Sequence, residues 1–67
     1  MARIEQLDVV EALVALPGRG VAAGDRGAVV MVFTDPDLAY EVEFVNEDGS
    51  TRALVTLKPE QVRRVSE

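Results

Sequence analysis

Three groups of residues in this chain carry side chains that could do chemistry. Asp35, Asp37, Glu41, Glu43, Glu47 and Asp48 form an acidic run that no lysine or arginine interrupts. The stretch "GDRGAVVMVF", Gly24–Phe33, opens with an acid and a base bracketed by Gly24 and Gly27, and Arg19 lies just upstream. Arg52, Lys58, Arg63 and Arg64 form a late basic group. Two absences constrain all three groups. With no histidine, no side chain is poised by default to exchange protons near neutral pH. With no cysteine, disulfides, thiolate metal ligands and cysteine nucleophiles are excluded together.

As a phosphate cradle, the glycine stretch fails on context. A phosphate loop ends in Lys-Ser or Lys-Thr and feeds a helix, whose N-terminus shares the anion with the loop N–H groups. Here Gly27 leads into Ala28, Val29, Val30, Met31, Val32 and Phe33. Such a run, rich in branching at Cβ, suits a strand, and Asp25 would repel an anion. Gly24 is therefore expected to take a turn conformation barred to larger residues, and Gly27 to permit a close approach. Asp25 and Arg26 are expected to face solvent.

The acidic run offers catalysis, cation binding or recognition. Glu41 and Glu43 share a strand face, but an acid–base pair needs a cleft that separates the two proton affinities, and a half-solvated strand supplies none. The turn "NEDGS", 46–50, lacks the full calcium-loop spacing and its distal glutamate. No enzymatic activity, cofactor or metal is assigned. The carboxylates then either solvate a strand and its turns, or form an acidic rim that docks a basic surface of another protein. On the second reading the protein interface is Tyr40, Glu41, Glu43, Glu47 and Asp48, with Tyr40 as an amphipathic anchor. A nucleic-acid accessory domain using Arg19, Arg26, Lys58, Arg63 and Arg64 is the competing reading. A formal net charge of −5 and few aromatics for base stacking weigh against it. A self-associating structural subunit is the third.

The elements that must position these groups are short. The 67 residues suffice for one domain, 1–67, with 1–6 and 66–67 as terminal extensions. "MARIEQLDVV" places Glu5 and Asp8 where a signal peptide needs an apolar segment, and no run is long enough to span a bilayer. A cytoplasmic location without membrane contact is the expectation. Asp8–Leu16 is ambiguous between helix and strand and reads better as a strand entering the loop at Pro17–Gly24. Ala28–Phe33 is the clearest strand, and "TDPDL" after it is a turn. Tyr40, Val42 and Phe44 alternate with Glu41 and Glu43, the period of a half-solvated strand. Asp48–Gly49 marks a hairpin, Arg52–Leu57 the next strand, and "PEQV" a single helical turn. Val62–Val65 returns as an edge strand, its arginines discouraging pairing with other chains. Phe33 and Phe44 are assigned to the core. A bent, partly closed sheet can enclose one valine-rich core, so the predicted fold is all-β, a small SH3-like partly open barrel of four to five antiparallel strands.

"GVAAGDRGAVVMVF", "AYEVEFVNEDGSTRALVTL" and the closing "PEQVRRV" resemble a family of small bacterial proteins catalogued as a domain of unknown function. The resemblance spans Leu7–Val65. It implies a compact SH3-like protein and carries no catalytic residue to this chain. The segment around Gly24–Val32 also resembles the glycine-led start of a strand in ribosomal and transcription-factor small barrels. That shorter likeness transfers no nucleic-acid binding to an acidic chain.

Overall fold

Alternation in "YEVEFV" sets the architecture. Tyr40, Val42 and Phe44 are buried while Glu41 and Glu43 lie on the opposite face, only partly exposed. In the computed structural model, which describes residues 3–65, this segment is β3, Ala39–Val45, an interior strand of a five-stranded antiparallel sheet. The other strands are β1, Val9–Ala12; β2, Arg26–Phe33; β4, Thr51–Leu57; and β5, Val62–Arg64. Short 3-10 turns at Pro17–Arg19 and Pro59–Gln61 interrupt the connections. The strand order is β4-β3-β2-β1-β5, so β4 and β5 remain as edges and the sheet is a small, partly open barrel. Among the described residues no helix is long and apolar enough to cross a membrane.

A single sheet covers its own core only by bending, and two local devices bend it. Register shifts between Val29 and Met31 on β2, and between Phe44 and Val45 on β3, mark bulges that strengthen twist and curl. At Gly27 the strands approach more closely than a side chain allows. A Cβ there would lie 2.7 Å from the Glu43 carbonyl oxygen, 2.7 Å from Val42 Cγ1 and 3.0 Å from Phe44 Cδ1. The expected close approach is thus present. Val10, Val29, Val42, Phe44 and Leu57 fill the resulting interior, with Ala12, Val21, Ala53, Val55 and Val62 around them.

The strand reading of the N-terminal segment holds for Val9–Ala12 only. Beyond it Leu13 donates to the Gln61 carbonyl, and Leu16 and Val21 form an isolated bridge that tucks Val21 into the core. Gly24 closes this loop with φ +94° and donates to the Ala12 carbonyl at 2.7 Å. Asp25 does not simply face water. Its Oδ2 accepts the Ala22 N–H at 2.9 Å and pairs with Arg52 at 2.8 Å, tying the loop to β4. Ile4, placed by the sequence in a terminal extension, packs against the core, and Leu7 donates to the Val29 carbonyl. Residues 1–2 and 66–67 of the expected extensions lie outside the described residues.

Phe33 corrects the sequence reading. Strict alternation from buried Val29 would turn Phe33 inward, but the bulge inserts one residue and inverts the phase. Met31 and Phe33 therefore emerge on the outer face, both substantially exposed. At the other end, "PEQ" forms the expected turn. The Lys58 N–H donates to Gln61 Oε1 at 2.8 Å, while the Gln61 N–H returns to the Lys58 carbonyl at 2.9 Å.

Gly27→Ala tests the close approach. It should cost about 1–3 kcal/mol in urea unfolding, because the atoms a Cβ would meet include the Glu43 backbone, which cannot swing aside. Gly18→Ala, with open space around it, should change stability by no more than about 0.5 kcal/mol. Equal effects at the two sites would remove Gly27 from its structural role.

Candidate functional site

The outer face of the sheet follows from the strand register. One row across it runs Val9, Ala28, Glu43, Leu54, and the next runs Met31, Glu41, Thr56. Glu43 and Glu41 thus sit in the middle of a face whose other members are mainly apolar. Val9, Met31 and Leu54 are 47%, 49% and 45% exposed. Large apolar side chains in water are costly to leave uncovered, and a grouped set carries more meaning than scattered ones.

Both carboxylates are held across the strand pair. The Thr56 hydroxyl donates to Glu41 Oε1 and the Thr51 hydroxyl to Glu43 Oε2. Each ionised carboxylate accepts at several lone-pair sites, so one threonine leaves capacity for a cationic donor. The threonines orient the acids rather than neutralise them. A shallow concavity of about 220 Å³ lies on this face between Val9, Arg26, Ala28, Glu43 and Val45. A second groove of about 780 Å³, sharing none of these residues, lies toward the start of β3 between the β2–β3 turn and the second 3-10 turn, walled by Pro36, Leu38 and Pro59.

The predicted interface residues do not all gather here. Glu41 and Glu43 do. Tyr40 points the opposite way: it is 5% exposed and sits in register with Val32 and Leu57 inside the barrel. A buried ring on the other face gives no anchor beside the acids. Glu47 and Asp48 belong to the β3–β4 turn, where Asp48 Oδ1 accepts from both the Ser50 N–H, at 3.0 Å, and the Ser50 hydroxyl, at 2.6 Å. These bonds hold the Asp48 carboxyl below its ordinary 3.8, the hydroxyl contributing most. The carboxylate stabilises its own hairpin. Among the described residues no three carboxylates converge on a metal-sized site.

The basic residues are dispersed and mostly engaged. Arg63 pairs with Glu11 of β1 and Arg64 with Asp8 just before it, contacts that hold β5 to β1. Arg52 holds Asp25, and Arg19 donates to the Leu54 carbonyl at 2.8 Å. Sequence reasoning missed Val9, Met31 and Leu54 as surface. An unbroken apolar run such as "AVVMVF" has no polar residue to reveal its phase.

A small, partly open all-β barrel with an acid-centred apolar face is the class that fold and surface define. The chain belongs to the family described as Domain of unknown function (DUF4926), whose model matches residues 6–64. No curated protein and no solved structure matches it.

The Asp48 geometry predicts a titration. A carboxyl depressed on folding contributes stability above its unfolded value, and that contribution is lost as pH falls through the folded one. NMR titration should place the Asp48 midpoint below 3.8. In Ser50→Ala the midpoint should move back up, since the main cause of the depression is gone. An unchanged midpoint would show that the hydroxyl does not hold the carboxylate.

Proposed function

We propose that this protein is a non-enzymatic interaction module that binds a basic surface of another protein through the outer face of its sheet. The observation that carries the reading is the placement of Glu41 and Glu43 at the centre of a face bordered by exposed Val9, Met31 and Leu54. An apolar patch with a fixed charge of one sign favours a partner that is apolar and of opposite charge. The apolar contacts supply affinity, and the carboxylates supply orientation and steering. Glu41 and Glu43 are the principal interface acids and Glu47 a peripheral one. Tyr40 and Asp48 serve the fold.

Two alternatives draw less support. A second copy meeting face to face would set Glu41 and Glu43 against their own like charges. A nucleic-acid surface would have to recruit Arg19, Arg63 and Arg64 from contacts they already make within the protein. A cytoplasmic setting is compatible with the proposed role.

The test uses a partner recovered from native lysate and titrated against wild type and Glu41→Gln/Glu43→Gln. Glutamine keeps the acceptor that each threonine needs while removing the charge. Affinity should fall about tenfold or more, with a weaker salt dependence than wild type. Unchanged binding by the double variant would sink the acidic-face reading, and so would failure to recover any reproducible partner.

A further inference from the structure

β4 is an edge strand, and its outer side offers backbone rather than side chains. Among the described residues no strand other than β3 pairs with it. The Leu54 carbonyl faces away from β3, because it accepts from Arg19. Ladder geometry alternates, so the N–H and C=O of Leu54 and of Thr56 all line this free edge. Among the described residues only the Arg19 guanidinium bonds to any of these groups. That guanidinium stands where the N–H of a neighbouring strand would donate.

We propose that the β4 edge is a strand-addition site for an extended partner segment carrying lysine or arginine at alternate positions, with Arg19 as the placeholder it displaces. The proposal rests on the acidic-face reading above and specifies the partner's form. Charge complementarity selects the occupant. An added strand would lie one spacing beyond β4, and roughly 10 Å beyond β3. Its side chains on the outer face would continue the two rows that contain Leu54 with Glu43 and Thr56 with Glu41. Basic residues two apart in an extended segment would therefore fall in step with these two acids, which are themselves two apart on β3. Long cationic side chains reach back across β4 to the carboxylates. The same residues on a helix would diverge to different faces. Main-chain pairing supplies affinity and the alternate charges supply register, the usual division in strand addition.

The loop between β1 and β2 holds the placeholder ready. Asp25 fixes Arg52 on β4, and Arg19 projects from the 3-10 turn of the same loop onto Leu54. Displacing Arg19 exchanges one exposed side-chain hydrogen bond for several backbone ones.

The experiment titrates the intact protein with a short peptide alternating lysine and valine, and with the same peptide N-methylated on its pairing edge. Amide exchange is read at Leu54 and Thr56. Binding should protect both amides, and N-methylation should weaken it about tenfold or more through lost backbone bonds. Arg19→Ala should tighten binding roughly three- to tenfold by removing the competitor. Equal binding of the two peptides, or binding without protection at Leu54 and Thr56, overturns the edge site and leaves the acidic-face reading standing. No binding of either peptide also overturns it, whereas the acidic-face reading is decided separately, by partner recovery and the Glu41→Gln/Glu43→Gln titration. An Arg19→Ala protein that dimerises with protected Leu54 overturns the proposed occupant in favour of a second copy.

Discussion

At Gly27 the backbone of β2 lies so close to Val42, Glu43 and Phe44 that no side chain fits between them. With no second layer among the described residues, the one sheet folds over its own apolar face. That requires a point of tight curvature near the middle, where β2 is shared between the two halves of the sheet. Its first residues pair with β1 on one side and with β3 on the other. Phe44 takes the space that a side chain at position 27 would have filled, and it is fully buried. Core, curvature and strand order all depend on this contact.

Much of the fold was legible because the sequence marks its turns with strong chemistry. Gly24, Asp48–Gly49 and Pro59 each impose a backbone conformation that few alternatives share, and the strands between them had little freedom of placement. β3 was legible in full because glutamates mark its outward phase. β2 was not. Its apolar residues point both ways, and the bulge after Val29 changes the phase without any residue that announces it. Phe33 was accordingly misplaced to the core, and the apolar half of the outer face went unseen. Strand β1 was foreseen too long, because bridge formation between Leu16 and Val21 was a tertiary event with no local signature.

The candidate site was readable in part for the same reason. Glu41 and Glu43 come from the one strand with an explicit period, and their shared face is simple arithmetic. Tyr40 belongs to the same strand and the same arithmetic places it inward with Val42 and Phe44, so its polar tip was given too much weight against its position. Asp48 could be read as a turn residue from Asp-Gly, but its bond to the Ser50 hydroxyl depends on the hairpin's three-dimensional closure. The pairings of Arg52 with Asp25 and of Arg63 with Glu11 join residues far apart in sequence, and no spacing rule reveals them.

The two sheet edges are managed differently, and the contrast bears on what each can do. β5 is three residues long, and both of its arginines are committed to acids of β1 or just before it, Glu11 and Asp8. A short edge with its charges already engaged offers a partner strand little length and no free register mark. β4 is seven residues long and carries no proline and no acid. A strand of that length, left bare, would invite indiscriminate pairing. Covering it permanently would take a further strand, and none beyond these five is present among the described residues. A single arginine on a loop is a lighter cover, since an exposed hydrogen bond of this kind contributes only about 1 kcal/mol. It suffices to discourage weak pairing, yet a strand bringing several backbone bonds and matching charge can outcompete it. In the proposed mode, the acids behind β4 discriminate between incoming strands. A segment with acidic side chains in the outer rows meets like charge, while one with basic side chains meets Glu41 and Glu43 already oriented by Thr56 and Thr51. In the proposed binding mode, edge and face act as one surface, the first selecting an extended backbone and the second selecting its charge.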